Sequence, residues 1–201
     1  MICRIGMVSA ILIAAAGTAG SGVAAGAQAR LPGRAPDSSP SSGRVIYRAT
    51  FDTGSKNPDW PGEFELAEMP PTPATGRAAR AGARGGGPEK GIGLAIEPAR
   101  PVGARTKLRF RYYLAGASAM TVQVFDLTVM DNRHVVLSNL TRDAWTTTEV
   151  DITRDSRRND GSAGPLEAGH RVDLVSFLVQ PSGSQPLDLY VDDVVLYDTG
   201  E

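Results

Sequence analysis

Beyond residue 44, polar and apolar residues alternate with a period of two over most of the chain. The clearest stretch is TKLRFRYYLAG (106–116). Leu108, Phe110, Tyr112 and Leu114 share one parity, and Lys107, Arg109, Arg111 and Tyr113 share the other. Successive side chains of a strand point to opposite faces, so this segment predicts a strand with one buried and one solvated side. Similar patterns predict strands over 44–52, 62–68, 91–97, 120–131, 134–140, 145–153, 170–180 and 186–198. In the first of these, Val45, Tyr47, Ala49 and Phe51 share a face. From residue 28 onwards no stretch keeps apolar residues at i, i+3, i+4 and i+7 over three turns. About nine strands with almost no helix predict an all-β fold, an antiparallel β-sandwich of jelly-roll kind.

The segment LYVDDVVLYD (189–198) complicates its own pattern, because two carboxylates stand in the middle of an apolar strand. Strict alternation places Asp193 with Leu187, Leu189, Val191 and Val195, the more apolar set. Asp192 falls with Asp188, Tyr190, Val194 and Leu196. A buried, unpaired carboxylate is costly and either takes up a proton or finds a cation. Parity therefore marks Asp193 as the one in need of compensation, by a metal, by an arginine or by loop amides.

The N-terminal residues follow a different pattern. Arg4 precedes an apolar run from Ile5 to about Ala16, and Ala25-Gly26-Ala27 has the form of a leader-peptidase site. A run of about a dozen apolar residues is short against the roughly 20 that span a bilayer. The expectation is a secretory signal peptide (1–27) and a secreted, periplasmic or envelope location. Cleavage after Ala27 leaves 174 residues, none of them cysteine, in an oxidising compartment without disulfides. Residues 28–43, rich in Pro, Ser and Gly, read as a linker, and 44–198 as one domain. The mature chain carries a formal charge of −2, which gives no basic balance for nucleic acid.

Two long loops carry charged residues. Residues 69–90, MPPTPATGRAARAGARGGGPEK, read as a low-complexity basic loop that lacks the Gly-Lys-Ser/Thr of a phosphate-binding loop. Residues 154–169 contain Asp155, Asn159 and Asp160 but not the alternate-residue spacing and closing glutamate of an EF-hand. Catalysis finds little support. There is no G-x-S-x-G, and His134 and His170, the only histidines, both sit beside turns. No carboxylate pair stands out for glycoside hydrolysis.

Three stretches resemble a known superfamily. AWTTTEVDIT (144–153) resembles the W-x-T strand of carbohydrate-binding modules with the galactose-binding-like jelly-roll fold. LYVDDVVLYD resembles their closing strand, and YRATFDTGSKNPDW (47–60) is similar to their opening one. The resemblance implies a structural calcium tying first strand to last, with Asp52 as the first-strand ligand and Asp192 as the last-strand one. Parity points to Asp193 instead, so both remain candidates. An oxygen-rich site of this kind suits calcium.

The function expected is non-catalytic binding of an extracellular polysaccharide or glycoconjugate. Trp60, framed by Pro58 and Pro61, reads equally as a lid folded back on the sandwich and as one candidate platform. The stripe of Arg109, Arg111 and Tyr113 is another, with Lys107 beside it and Gln123 joining if the register allows; such a basic stripe suits an acidic polysaccharide. Trp145 reads as structural. The alternative is a structural or adhesion protein of the envelope or matrix that binds another protein.

Overall fold

The computed structural model describes residues 43–56, 59–70, 76–162 and 164–200. The expected leader and all but the last residue of the expected linker lie outside the described residues. The strands are β1 (Arg44–Ala49), β2 (Gly62–Glu63), β3 (Glu65–Glu68), β4 (Arg77–Arg80), β5 (Gly82–Ala83), β6 (Lys90–Pro101), β7 (Thr106–Ala115), β8 (Met120–Asp126), β9 (Asp131–Leu137), β10 (Thr146–Asp151), β11 (Arg157–Arg158), β12 (Arg171–Val179) and β13 (Asp188–Asp198). The one helical turn among them, α1 (Ile152–Asp155), is capped by Asp151, whose carboxylate accepts the Arg154 amide at 2.9 Å. No helix of the described residues is long and apolar enough to cross a membrane.

All strand pairs of the two sheets are antiparallel. The first sheet runs β10-β7-β13-β4-β3, with β1 also pairing β13. β4 and β1 share one edge of β13: β4 faces Tyr190 and Val191, and β1 faces Val194 through Asp198. The second sheet runs β11-β9-β8-β12-β6-β2, with β5 also on β6. The alternation in β7 holds throughout, so Leu108, Phe110, Tyr112 and Leu114 are buried. They meet Val122, Val124, Val175 and Phe177 of the second sheet in one core. Phe110 and Phe177 touch edge to face, ring centres 4.7 Å apart. Burying each such ring stabilises by about 2–3 kcal/mol.

The structure corrects the sequence reading in three places. The stretch 69–90 is not all loop: β4 and β5 lie within it, and Ala78 and Ala79 are wholly buried between their neighbours. Alanines give too weak an apolar signal to mark a strand, yet their small side chains suit a crowded interior. The expected face of β1 breaks at a bulge between Val45 and Tyr47, which leaves Val45 exposed while Ala49 and Phe51 are buried. Gln123 lies on β8, in the second sheet, opposite His134 and Ser176. It cannot join the stripe on β7.

Candidate functional site

Register across the first sheet assembles a transverse row on its outer face. Tyr113 of β7 stands opposite Tyr190 of β13, Tyr190 opposite Arg80 of β4, and Arg80 opposite Glu65 of β3. Residues directly opposed on paired strands share a face. Trp145, just ahead of β10, completes the row beyond Tyr113. Its ring centre lies 6.1 Å from that of Tyr113, which is also 6.1 Å from that of Tyr190. All three rings are partly exposed. The indole is anchored, because its Nε1–H donates to the Pro70 carbonyl at 2.7 Å.

Arginines frame the row. The Arg111 guanidinium sits 5.0 Å from the Trp145 ring centre, and that of Arg80 sits 5.6 Å from the Tyr190 ring centre. Arg80 donates through Nε and Nη2 to Asp188, the shortest contact being 3.0 Å. Arg111 lies 3.4 Å from Asp193 and 3.7 Å from Asp192. Further along the face, Lys107 pairs with Glu149 at 2.8 Å. Burial works to raise the Glu149 pKa, but hydrogen bonds from Lys107 and Tyr197, with the charges of Lys107 and Arg109, hold it below the ordinary carboxylate value. The stripe is therefore a set of ion pairs rather than a free basic surface.

The sequence candidates separate. Arg109, Arg111 and Tyr113 share the outer face, opposite Glu149, Asp192 and Tyr190 among others. Trp60 does not join them. It packs against Phe51, ring centres 5.5 Å apart, its Nε1–H donates to the Thr53 carbonyl at 3.0 Å, and it abuts the core just before β2 of the second sheet. Trp145, which the sequence reads as structural, and Tyr190 both belong to the row. The signal for Tyr190 was present: its parity is opposite to that of Leu189 and Val191, both buried.

The paired aspartates are resolved by a bulge. Asp192 faces Arg111 and Val195 faces Arg109, so two residues of β13 oppose one of β7. Asp193 takes the left-handed backbone conformation, φ +48°. Alternation restarts after it, and this overturns the parity reading. Asp192 is the buried carboxylate, 3% exposed, while Asp193 is half-buried. Burial first, then the charge of Asp193, pushes the Asp192 carboxyl up to about 7. The Asp193 amide and Arg111 work against the rise, and the charge of Asp52 adds to it. Asp192 Oδ1 is buried with no hydrogen-bond partner. Asp52, Asp192 and Asp193 are thus electrostatic neighbours. Among the described residues no group of three or more His, Cys, Asp or Glu side chains is placed to hold a metal by itself.

The two histidines lie apart from the aromatic row, on the second sheet and the loop before β12, and His134 Nδ1 is buried without a hydrogen-bond partner. His170 Nδ1 lies 2.8 Å from the buried Asp126, and its Nε2 lies 3.7 Å from Glu167, so both ring nitrogens face carboxylates. Asp126 also pairs with Arg133 at 3.4 Å, and Arg133, 1% exposed, meets Asp131 at 2.6 Å. His134 stands opposite Arg157 and Gln123, and burial lowers its pKa.

No protein-family model matches the sequence, and no curated protein matches it. Solved structures match the fold. A mutant of a family 29 carbohydrate-binding module aligns over 78% of this chain and 92% of its own, with TM-score 0.50 and 13% identity. An agarase aligns over 77% of this chain and 26% of its own, with TM-score 0.53 and 9% identity. An exo-beta-agarase aligns over 78% and 26%, with TM-score 0.51 and 8% identity. This chain thus spans about a quarter of each agarase. At such identities the likeness is one of fold, an antiparallel sandwich of the jelly-roll kind.

Proposed function

We propose that this protein is a secreted, non-catalytic carbohydrate-binding module. The observation that carries the reading is the row of Trp145, Tyr113 and Tyr190, three partly exposed rings on one sheet face, two on the paired strands β7 and β13 and one just ahead of β10. Sugar rings have apolar C–H faces that stack on aromatic rings, while nearby polar groups take their hydroxyls. Asp188, Arg80 and Arg111 border the rings and supply such groups. The fold supports the reading, since a family 29 carbohydrate-binding module has it, and agarases contain a region that matches it. Secretion rests on the leader pattern of residues 1–27.

A structural calcium belongs to the same proposal. The buried, unpartnered Oδ1 of Asp192, with Asp193 and Asp52 nearby in charge, fits a hard cation better than it fits an empty interior. Asp192 and Asp52 would supply carboxylates and main-chain carbonyls the rest. The ion would neutralise the middle of β13, at its bulge, and join it to the chain leaving β1.

Native gel electrophoresis through polysaccharide tests the function. Retardation by at least one glycan is expected, with Tyr190→Ala and Tyr113→Ala each weakening it about tenfold, the equivalent of about 1.4 kcal/mol. Trp60→Ala should leave it unchanged. Loss on Trp60→Ala alone would move the site to the loop before β2. No retardation by any glycan, with the fold intact, would favour a protein-binding structural role.

A further inference from the structure

Building on that reading, we infer that the row takes an uncharged, soluble glycan chain, and that acidic polysaccharides and crystalline surfaces are excluded. The first argument is charge. The cations that border the rings already hold carboxylates. Arg80 is bound by Asp188 through two nitrogens and lies 3.8 Å from Glu65. Arg111 is held between Asp192 and Asp193, and Lys107 by Glu149. An incoming carboxylate or sulfate must displace one of these partners. Displacing Asp192 or Asp193 would strand a carboxylate that is wholly or half buried, which is costly.

The second argument is hydrogen-bonding capacity. Asp188 and Asp193 remain about 30% exposed and Glu65 is 65% exposed, so acceptor oxygens stay open beside the rings. Neutral sugars offer hydroxyl donors to such oxygens. Glycans bearing carboxylate or sulfate meet like charge instead. Thus the exposed edge of each ion pair selects for hydroxyls and against anions.

Ring geometry supplies the third. Tyr113 is inclined by 51° to Trp145 and by 81° to Tyr190. The three rings therefore offer no single plane, and a ligand that stacks on more than one of them must turn along the row, as a single flexible chain can and a flat crystal face cannot.

The test uses the purified protein in gels containing xyloglucan, galactomannan or mixed-linkage β-glucan, against alginate, polygalacturonate or chondroitin sulfate, with pelleting on microcrystalline cellulose beside them. Retardation by a neutral glycan is expected, changing less than about twofold between about 0.05 and about 0.5 M NaCl, a range over which exposed charges become screened. Asp188→Asn, which releases Arg80, should create retardation by an acidic glycan that the native protein lacks, with its melting curve reporting that it folds. Binding of an acidic glycan by the native protein, lost in Tyr190→Ala, would keep the site and overturn the uncharged ligand. Pelleting on cellulose would overturn the soluble chain, and no gain in Asp188→Asn would overturn the ion-pair argument. Silence with every glycan would sink the binding function and this inference with it.

Discussion

Asp192→Asn is the sharpest perturbation the structure offers. The buried carboxyl rises from its ordinary 3.8 to about 7, chiefly through burial and the neighbouring Asp193 charge. A carboxyl that holds its proton more tightly in the folded state destabilises that state as pH rises. The cost is absent below about pH 4, grows between the two pKa values, and is complete above about pH 7. At about 1.4 kcal/mol per unit, the full cost is about 4 kcal/mol, and relaxation with water entry reduces it to about 2–4. Asparagine keeps the shape and removes the charge. In chelator at about pH 8, Asp192→Asn should therefore be more stable than the native protein, melting on the order of 5–10 °C higher for a domain of this size. At about pH 3.5 the two should nearly coincide. Circular dichroism melts at both pH values, in EDTA, measure the effect. Equal melting temperatures at the higher pH, or the same loss on raising the pH in both proteins, would refute the reasoning.

Three further outcomes follow from the same geometry. Calcium added to the native protein at about pH 8 should raise its melting temperature by mass action and leave Asp192→Asn unmoved; no rise in the native protein removes the ion from the proposal. Arg133→Met strands the buried Asp126 with His170 and should cost about 3–5 kcal/mol, read from the urea midpoint at unchanged m-value; a loss under about 1 kcal/mol would show that the cluster relaxes freely. Gly62→Ala should detach β2, because φ is +148° and an added Cβ would lie 2.1 Å from the Gly93 carbonyl oxygen. Faster hydrogen exchange at the Ala95 amide, which donates to Pro61, is its readout, and native-like protection there would contradict it.

Most of the fold was legible because its strands are half-buried. β7 alternates buried and partly exposed residues without a break, so period-two patterning finds it; β8 alternates as well, but the stretch 120–131 that contains it is apolar on both parities near its middle. β4 escaped because its interior positions are alanines inside a stretch rich in Gly, Pro and Arg. The site was half legible for a different reason. Arg109, Arg111 and Tyr113 lie on one strand, and alternation alone puts them on one face. Tyr190 and Arg80 reach them only through the pairing of β13 with β7 and β4, and no local pattern states which strands are neighbours. Gln123 shows the same limit from the other side: a strand adjacent in sequence to β7 belongs to the opposite sheet. The sequence leaves Trp60 open between platform and lid, and Phe51 and the Thr53 carbonyl are ring partners that sequence does not display.

The two aspartates in the closing strand follow from what that strand must satisfy. Leu189 and Val191 face the core before the bulge, and Val194 and Leu196 face it after. Strict alternation cannot bury both pairs, since Val191 and Val194 differ in parity. One extra residue restores the phase, and it adopts positive φ, where Asp is among the few side chains tolerated. Asp193 is that residue. The same step leaves Tyr190 and Asp192 facing outward ahead of it, with Val195 and Tyr197 outward behind it. Tyr190 thereby reaches Tyr113, and Asp192 reaches Arg111, whose guanidinium lies against Trp145. The bulge also marks where β13 exchanges β4 for β1 along its edge, so the chain leaving β1 brings Asp52 toward the carboxylates. A register device in the core thus links the paired carboxylates in the middle of β13 to the aromatic row through one side chain, Arg111.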